Sequence, residues 1–162
     1  MIANLTITKA TPSDVGEIYD LTVALAEYEG KKPEEILVSK ENLLRWGFGA
    51  TPRFEALIAR TGKLPVGMAV FYIGYSGYLG SIFLYIEDLF VLPGYRRQGI
   101  GKALLCDLAS RSIELDCCGM RWAVFDWNEE AIAFYRSLGG QLRPDLIQTR
   151  LEAKDLPNLL AK

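Results

Sequence analysis

Apolar and polar positions along the chain alternate between strand-like and helix-like periods. Residues Leu5 to Thr8 alternate as a short strand, and Thr11-Pro12-Ser13-Asp14 opens a helix with proline and a capping side chain near its start. That helix carries Val15, Ile18, Tyr19, Leu21, Leu25 and Ala26 and runs out near Tyr28-Glu29-Gly30. The polar segment Lys31 to Val38, with Pro33, predicts a loop. Ser39 caps a second helix through Leu43, Leu44 and Trp46, closed by Gly47 and Gly49. From Phe54 the pattern turns to strands: Phe54 to Ala59 and Val66 to Tyr75 flank the hairpin signal Thr61-Gly62-Lys63-Leu64-Pro65, and Ser81 to Val91 follows. A long helix through Ile100, Ala103, Leu104 and Leu108 leads to a returning strand, Met120 to Phe125. Asn128-Glu129-Glu130-Ala131 opens a further helix ended at Gly139-Gly140; Leu142 onward predicts a terminal strand or two, and Ala153 to Leu160 a tail. This order predicts one α/β domain over residues 1–162, a mixed, mostly antiparallel sheet with helices on both faces.

The stretch from Tyr85 to Ala109 concentrates the chemistry. A buried strand, a Pro93-Gly94 turn and the elbow Arg96-Arg97-Gln98-Gly99-Ile100-Gly101 feed directly into a helix N-terminus. The first turn of a helix carries N–H groups without intrahelical partners and the positive end of the macrodipole, so a phosphate fits there. Glycines 99 and 101 let a ligand approach the backbone, and Arg96 and Arg97 add charge. Neither G-x-x-x-x-G-K-[ST] nor G-x-G-x-x-G is present. On these residues alone, a surface turn with two solvated arginines explains the pattern as well.

Composition narrows the chemistry further. With 162 residues, half of them apolar, the chain suits one domain with a layered core. No signal peptide or membrane span is read, because the most hydrophobic run, Ile82 to Leu92, is short and interrupted by Glu87 and Asp88; a cytoplasmic protein without a membrane partner is expected. A net charge of −2 gives no reason to expect nucleic acid. There is no histidine, which excludes Ser-His-Asp and Cys-His catalysis and His-ligated metals, and no metal site is expected. Cys106 reads as packing on the long helix, and Cys117 and Cys118 as reduced structural thiols.

Glu87 is the leading candidate for acid–base work, because an acid in mid-strand among apolar residues is costly unless paired or used. Strict alternation puts Tyr85, Glu87 and Leu89 on one face and Ile86, Asp88 and Phe90 on the other, with Asp88 as structural support. A solvent-facing acid or a structural ion pair competes with the functional reading. Tyr135 is second: a phenol with pKa near 10 is protonated at neutral pH and can donate to a leaving thiolate. It shares its helix face with Ala131, Ile132 and Leu138, so core packing competes. Asn128 reads first as a helix cap.

The run Arg96 to Gly101 matches [R/Q]-x-x-G-x-[G/A]. Together with the element order, it makes the chain resemble the GNAT (acyl-CoA N-acyltransferase) superfamily over nearly its whole length. The resemblance implies the GNAT fold and acetyl-CoA as cofactor. Its diphosphate would be gripped at Arg96, Arg97, Gln98, Gly99, Ile100, Gly101 and Lys102, and its pantetheine arm paired to the strand edge Leu89-Phe90-Val91, where a backbone N–H polarises the thioester carbonyl. Asn128 then also contacts coenzyme A, Glu87 is the base and Tyr135 the acid.

Closer blocks, Leu25-Ala26-Glu27-Tyr28-Glu29, Leu43 to Gly49, Tyr85 to Val91 and Trp127-Asn128-Glu129, look like the diamine (spermidine/spermine) acetyltransferases and their thialysine-acetylating relatives. The resemblance implies an amine site lined by Tyr28, Glu29 and Glu87, direct attack of a small-molecule amine in a ternary complex, and a homodimer. One departure stands out: acids that polyamine-acetylating members carry before the final strand are replaced here by Leu146 and Ile147, with Asp145 beside them. That favours a short diamine or a thialysine-like amino acid over long polyamines. Two rivals remain. A peptide or protein N-acetyltransferase would show an open groove at the Lys31 to Val38 loop; a non-catalytic acyl-CoA-binding module would not need Glu87 and Tyr135.

Overall fold

Three apolar runs joined by tight turns fold back on one another and set the frame of the chain. In the computed structural model, which describes residues 4–160, they become β2 (Glu55–Thr61), β3 (Leu64–Ser76) and β4 (Ser81–Val91), paired antiparallel. β1 (Leu5–Lys9) adds antiparallel to β2, and β5 (Met120–Trp122) adds parallel to β4, giving the sheet order β1-β2-β3-β4-β5. Between the last two strands runs α3 (Ile100–Glu114), the crossover helix a parallel pair requires. The chain forms two compact units, Met1–Ala123 and Val124–Lys162, and the whole sheet belongs to the first.

Alternation sorts that sheet's side chains between two helical layers. Ala56, Ile58, Met68, Val70 and Phe90 pack with Ile18 and Leu21 of α1 (Val15–Tyr28). Leu43 and Phe48 of α2 (Lys40–Phe48) pack against the same cluster, and the Ser39 hydroxyl caps α2 by accepting from the Asn42 N–H at 3.1 Å. The intervening positions Ala59, Phe71, Leu84 and Ile86 are buried on the other face, where α3 lays Ile100, Leu104 and Leu108 across the strands. Each such side chain contributes about 1.5–3 kcal/mol by leaving water. Arg60 of β2 fastens the start of α1, donating to Asp14 at 2.7 Å and Glu17 at 2.8 Å.

The second unit holds α4 (Glu129–Ser137) and α5 (Leu156–Leu160). Two expectations change here. Among the described residues no strand follows Trp122, so the anticipated terminal strands are absent and the returning strand is three residues long. Apolar residues between the helices, Leu146, Ile147 and Leu151, are exposed, so strand formation there would gain little burial. Cys106 is likewise exposed, because Leu104, Leu105 and Leu108 occupy the buried stripe of α3.

Candidate active site

The site begins with an irregularity in β4. Val70 of β3 stands opposite Asp88, but the next residue, Phe71, stands opposite Ile86, so Glu87 is an extra residue in a β-bulge. A bulge cancels alternation across itself. Asp88 therefore joins Val70 and Phe90 on the α1 face, and Tyr85, beyond the bulge, returns to that same face: its ring stacks on Tyr72 with centroids 5.1 Å apart. The expected partition, with Asp88 opposite Tyr85, is corrected by this one inserted residue.

Charge accumulates around the bulge. Burial, with the Glu87 and Glu29 carboxylates nearby, pushes the Asp88 carboxyl up to about 6. Burial also raises the Glu29 carboxyl, against the opposing pull of Lys31. The phenols of Tyr72 and Tyr85 are raised by burial and by the Glu87 charge. Glu29 stands at the C-terminal end of α1, where helix carbonyls add partial negative charge. Three carboxylates and a helix C-terminus make this face one that a cation relieves. Tyr72 is an addition to the residues singled out from sequence, and Asp88, read there only as structural support, joins the acidic face with Tyr85. Their signal was the adjacent Glu-Asp pair in an apolar run, which a regular strand cannot place on one face.

Downstream of the bulge β4 offers backbone instead. β5 pairs β4 only at Leu84, Tyr85 and Ile86, so among the described residues no strand continues along the edge from Glu87 to Val91. The Leu92 N–H bonds Val66 on the β3 side; by alternation, the N–H and C=O groups of Leu89 and Val91 face the open edge. Gly67 keeps β3 close beneath this stretch, since a Cβ there would stand 2.8 Å from the Phe90 carbonyl oxygen.

The elbow follows. Gly99 is the N-cap of α3 at φ 88, a left-handed conformation, and it brings no side-chain cap, so N–H groups of the first turn of α3 are left for another acceptor. Arg97 is also left-handed, at φ 62, an uncommon state for a residue with a Cβ. Such turns gather successive N–H groups into an anion-binding concavity. Space around Gly99 is open, with no neighbouring atom within 4 Å of a Cβ built there. Exposed Gln98 and Lys102 border the concavity, with Gly101 and the buried Ile100 in the first turn of α3. These donors and this opening fit a coenzyme A diphosphate. The Arg96 side chain turns elsewhere: its Nε donates to the Val91 carbonyl at 3.0 Å, and its guanidinium lies 4.1 Å from the Tyr28 ring centroid.

In the second unit, the Asn128 side chain caps α4 by accepting from the Ala131 N–H at 3.2 Å. Burial pushes the Tyr135 phenol up to about 12, so it holds its proton throughout the physiological range. Leu146 and Ile147 are exposed, and Asp145 is gripped by Arg143 at 2.7 and 2.9 Å. A separate cavity of about 260 Å³ lies on the α3 face of the sheet, lined by Lys9, Phe71, Asp107, Arg111 and Glu114 among others and by none of Glu29, Glu87 and Asp88.

Comparison with known proteins agrees with this geometry. Residues 15–139 match the model of the Acetyltransferase (GNAT) family. The chain is 36% identical over 148 residues to a thialysine N-epsilon-acetyltransferase of Bos taurus, covering 86% of each. It is 36% identical over 140 residues to the human spermidine/spermine N(1)-acetyltransferase-like protein 1, covering 82% of this chain and 20% of that protein. An integron cassette protein from the mobile metagenome of V. cholerae superposes with a TM-score of 0.81 at 22% identity over 99% of both chains, a likeness of fold. The chain belongs to the Acetyltransferase (GNAT) family and is an N-acetyltransferase that takes its acetyl group from acetyl-CoA.

Proposed function

We propose that this enzyme acetylates a small primary amine, a short diamine or a thialysine-like amino acid, by direct attack in a ternary complex. The observation that carries the reading is the acidic, tyrosine-rich face at the β4 bulge, placed immediately upstream of an open strand edge and an uncapped helix N-terminus. Bound acetyl-CoA supplies the acetyl group as an activated thioester. Backbone amides of residues 97–102, with Arg97 and Lys102, hold the diphosphate, and Leu89 together with the Val91 N–H offers the strand edge to the pantetheine amides. Asn128 adds a contact to coenzyme A.

An alkyl amine has a pKa near 10, so at pH 7 only about one molecule in a thousand is nucleophilic. Glu87 relieves this by taking the ammonium proton, directly or through a water. Glu29, with Tyr28, retains the cation, and Tyr135 returns a proton to the departing thiolate. Thialysine and spermidine/spermine acetyltransferase relatives support an amine of this class. Asp145 is already engaged by Arg143, and Leu146 and Ile147 carry no charge, which disfavours a long polyamine. We further propose that residues 1–162 act as one functional domain, as a cytoplasmic homodimer.

Coenzyme A release over a panel of diamines, polyamines, lysine analogues and peptides tests the reading. Turnover should be highest with short diamines or thialysine and lower with spermine. Turnover with peptides alone would make this a protein acetyltransferase. Coenzyme A binding without any turnover would leave a binding module.

A further inference from the structure

We infer that Arg96 is a positioning residue for the amine, a brace that ties the end of the cofactor strand to the end of α1. The inference rests on the amine-acetylating reading above. Motif position makes Arg96 a phosphate contact, but its side chain is engaged with the end of β4 and the end of α1. Its Nε donates to the Val91 carbonyl at 3.0 Å, and its guanidinium carbon lies over the Tyr28 ring at 4.1 Å from the centroid and 5.8 Å from that of Phe90. The two rings lie 6.3 Å apart, tilted by 47°. Arg96 is half-buried, whereas neighbouring Arg97 is exposed.

One side chain thus touches three parts of the site. Val91 is the last residue of β4, and its carbonyl faces the open edge, so the Arg96 bond marks where that edge stops being available for pairing. Phe90 belongs to the core cluster beneath α1 and fixes the brace against the sheet. Tyr28 is the last residue of α1 and precedes Glu29, so holding its ring holds the end of α1 that carries both amine-site residues. Beyond Glu29 the chain leaves the helix through Gly30 at φ 78. Docking of the elbow is therefore transmitted to the amine site through a cation–π contact. A planar guanidinium is required, because a lysine ammonium has neither the flat face that lies along a ring nor a donor at the Nε position.

Two substitutions separate this role from a phosphate contact. Arg96→Lys keeps a charge within reach of a phosphate but removes plane and Nε; Arg96→Met keeps only the apolar stem. As a brace, both variants raise the amine KM about tenfold and leave kcat and the coenzyme A dissociation constant within about threefold of wild type. Tyr28→Leu has the same effect, and the Tyr28→Leu/Arg96→Lys double variant is no worse than either single, the non-additivity expected of partners in one contact. The inference is overturned if Arg96→Lys behaves as wild type toward the amine while Arg96→Met loses coenzyme A affinity. It is also overturned if the two sites add independently, or if, with an amine that wild type acetylates, only the melting temperature moves. Should wild type acetylate no amine, the functional reading fails by itself; the brace is then judged by thermal unfolding of the cofactor-free protein, where additive shifts for the Tyr28/Arg96 cycle overturn it.

Discussion

Glu55 and Asp88 are carboxylates on the two faces of one sheet, Glu55 on the side of α3 and Asp88 on the side of α1. Burial alone would raise both. At Glu55, Lys9 at 2.6 Å and Arg111 at 2.9 Å outweigh burial, and the net shift is downward. At Asp88 burial is reinforced by the like charges of Glu87 and Glu29, and the carboxyl rises to about 6. The same residue class in the same kind of strand is thus a satisfied ion pair in one place and an unrelieved charge in the other. The second kind is an arrangement that a bound cation relieves, and it is the ground for the amine site proposed above.

The strongest way to break that contrast is to remove the acid at the bulge. Glu87→Gln should lower kcat/KM at pH 7 by on the order of a thousandfold, about 4 kcal/mol, with the deficit shrinking toward pH 10 as the amine loses its own proton. A deficit that is constant across the pH–rate profile removes Glu87 as the base and moves the role to Asp88. Tyr135→Phe should lower kcat about a hundredfold while leaving acetyl-CoA affinity, measured by calorimetry, unchanged. Equal turnover would return Tyr135 to packing.

The next two effects are on stability and differ in sign. A folded-state pKa of about 6 against an ordinary value of 3.8 means that the folded protein binds the Asp88 proton more tightly. This group's contribution is full below about pH 4 and is lost as pH rises through about 6. Asp88→Asn should therefore abolish that fall and stabilise the protein by about 2 kcal/mol at pH 7–8, read from urea unfolding at a series of pH values. Destabilisation at pH 8 would show the carboxylate to be satisfied. Glu55, with its lowered pKa, contributes above its ordinary value of 4.5 and loses that contribution as pH falls through its folded pKa. Glu55→Gln should cost about 1 kcal/mol at neutral pH and almost nothing in acid, and an equal cost at both would break the contrast from the other side.

Much of the frame was legible in sequence. Ser81 to Val91 was bounded as found, because a long apolar run between turn signals admits few other readings, and the elbow announced itself through Gly99 at a position that needs a left-handed backbone. The bulge was not legible: period-two alternation contains nothing that marks an inserted residue, and without it Asp88 falls on the wrong face. The partner of Arg96 was hidden for a similar reason, since Tyr28 is 68 positions away and only the packing of α1 on β4 brings the two together. After Trp122, apolar residues at strand-like spacing misled, because spacing alone says nothing about whether a neighbouring strand exists to pair with.

The extra residue at Glu87 also decides how this segment tolerates changes of length. Counting from Val91 back to Asp88 is fixed, because adding or deleting one position there would rotate its carboxylate off the α1 face. The hairpin tip around Gly77 to Gly80 lies on the far side of the bulge, where a loop can lengthen or shorten without shifting the register of Asp88 against Val70.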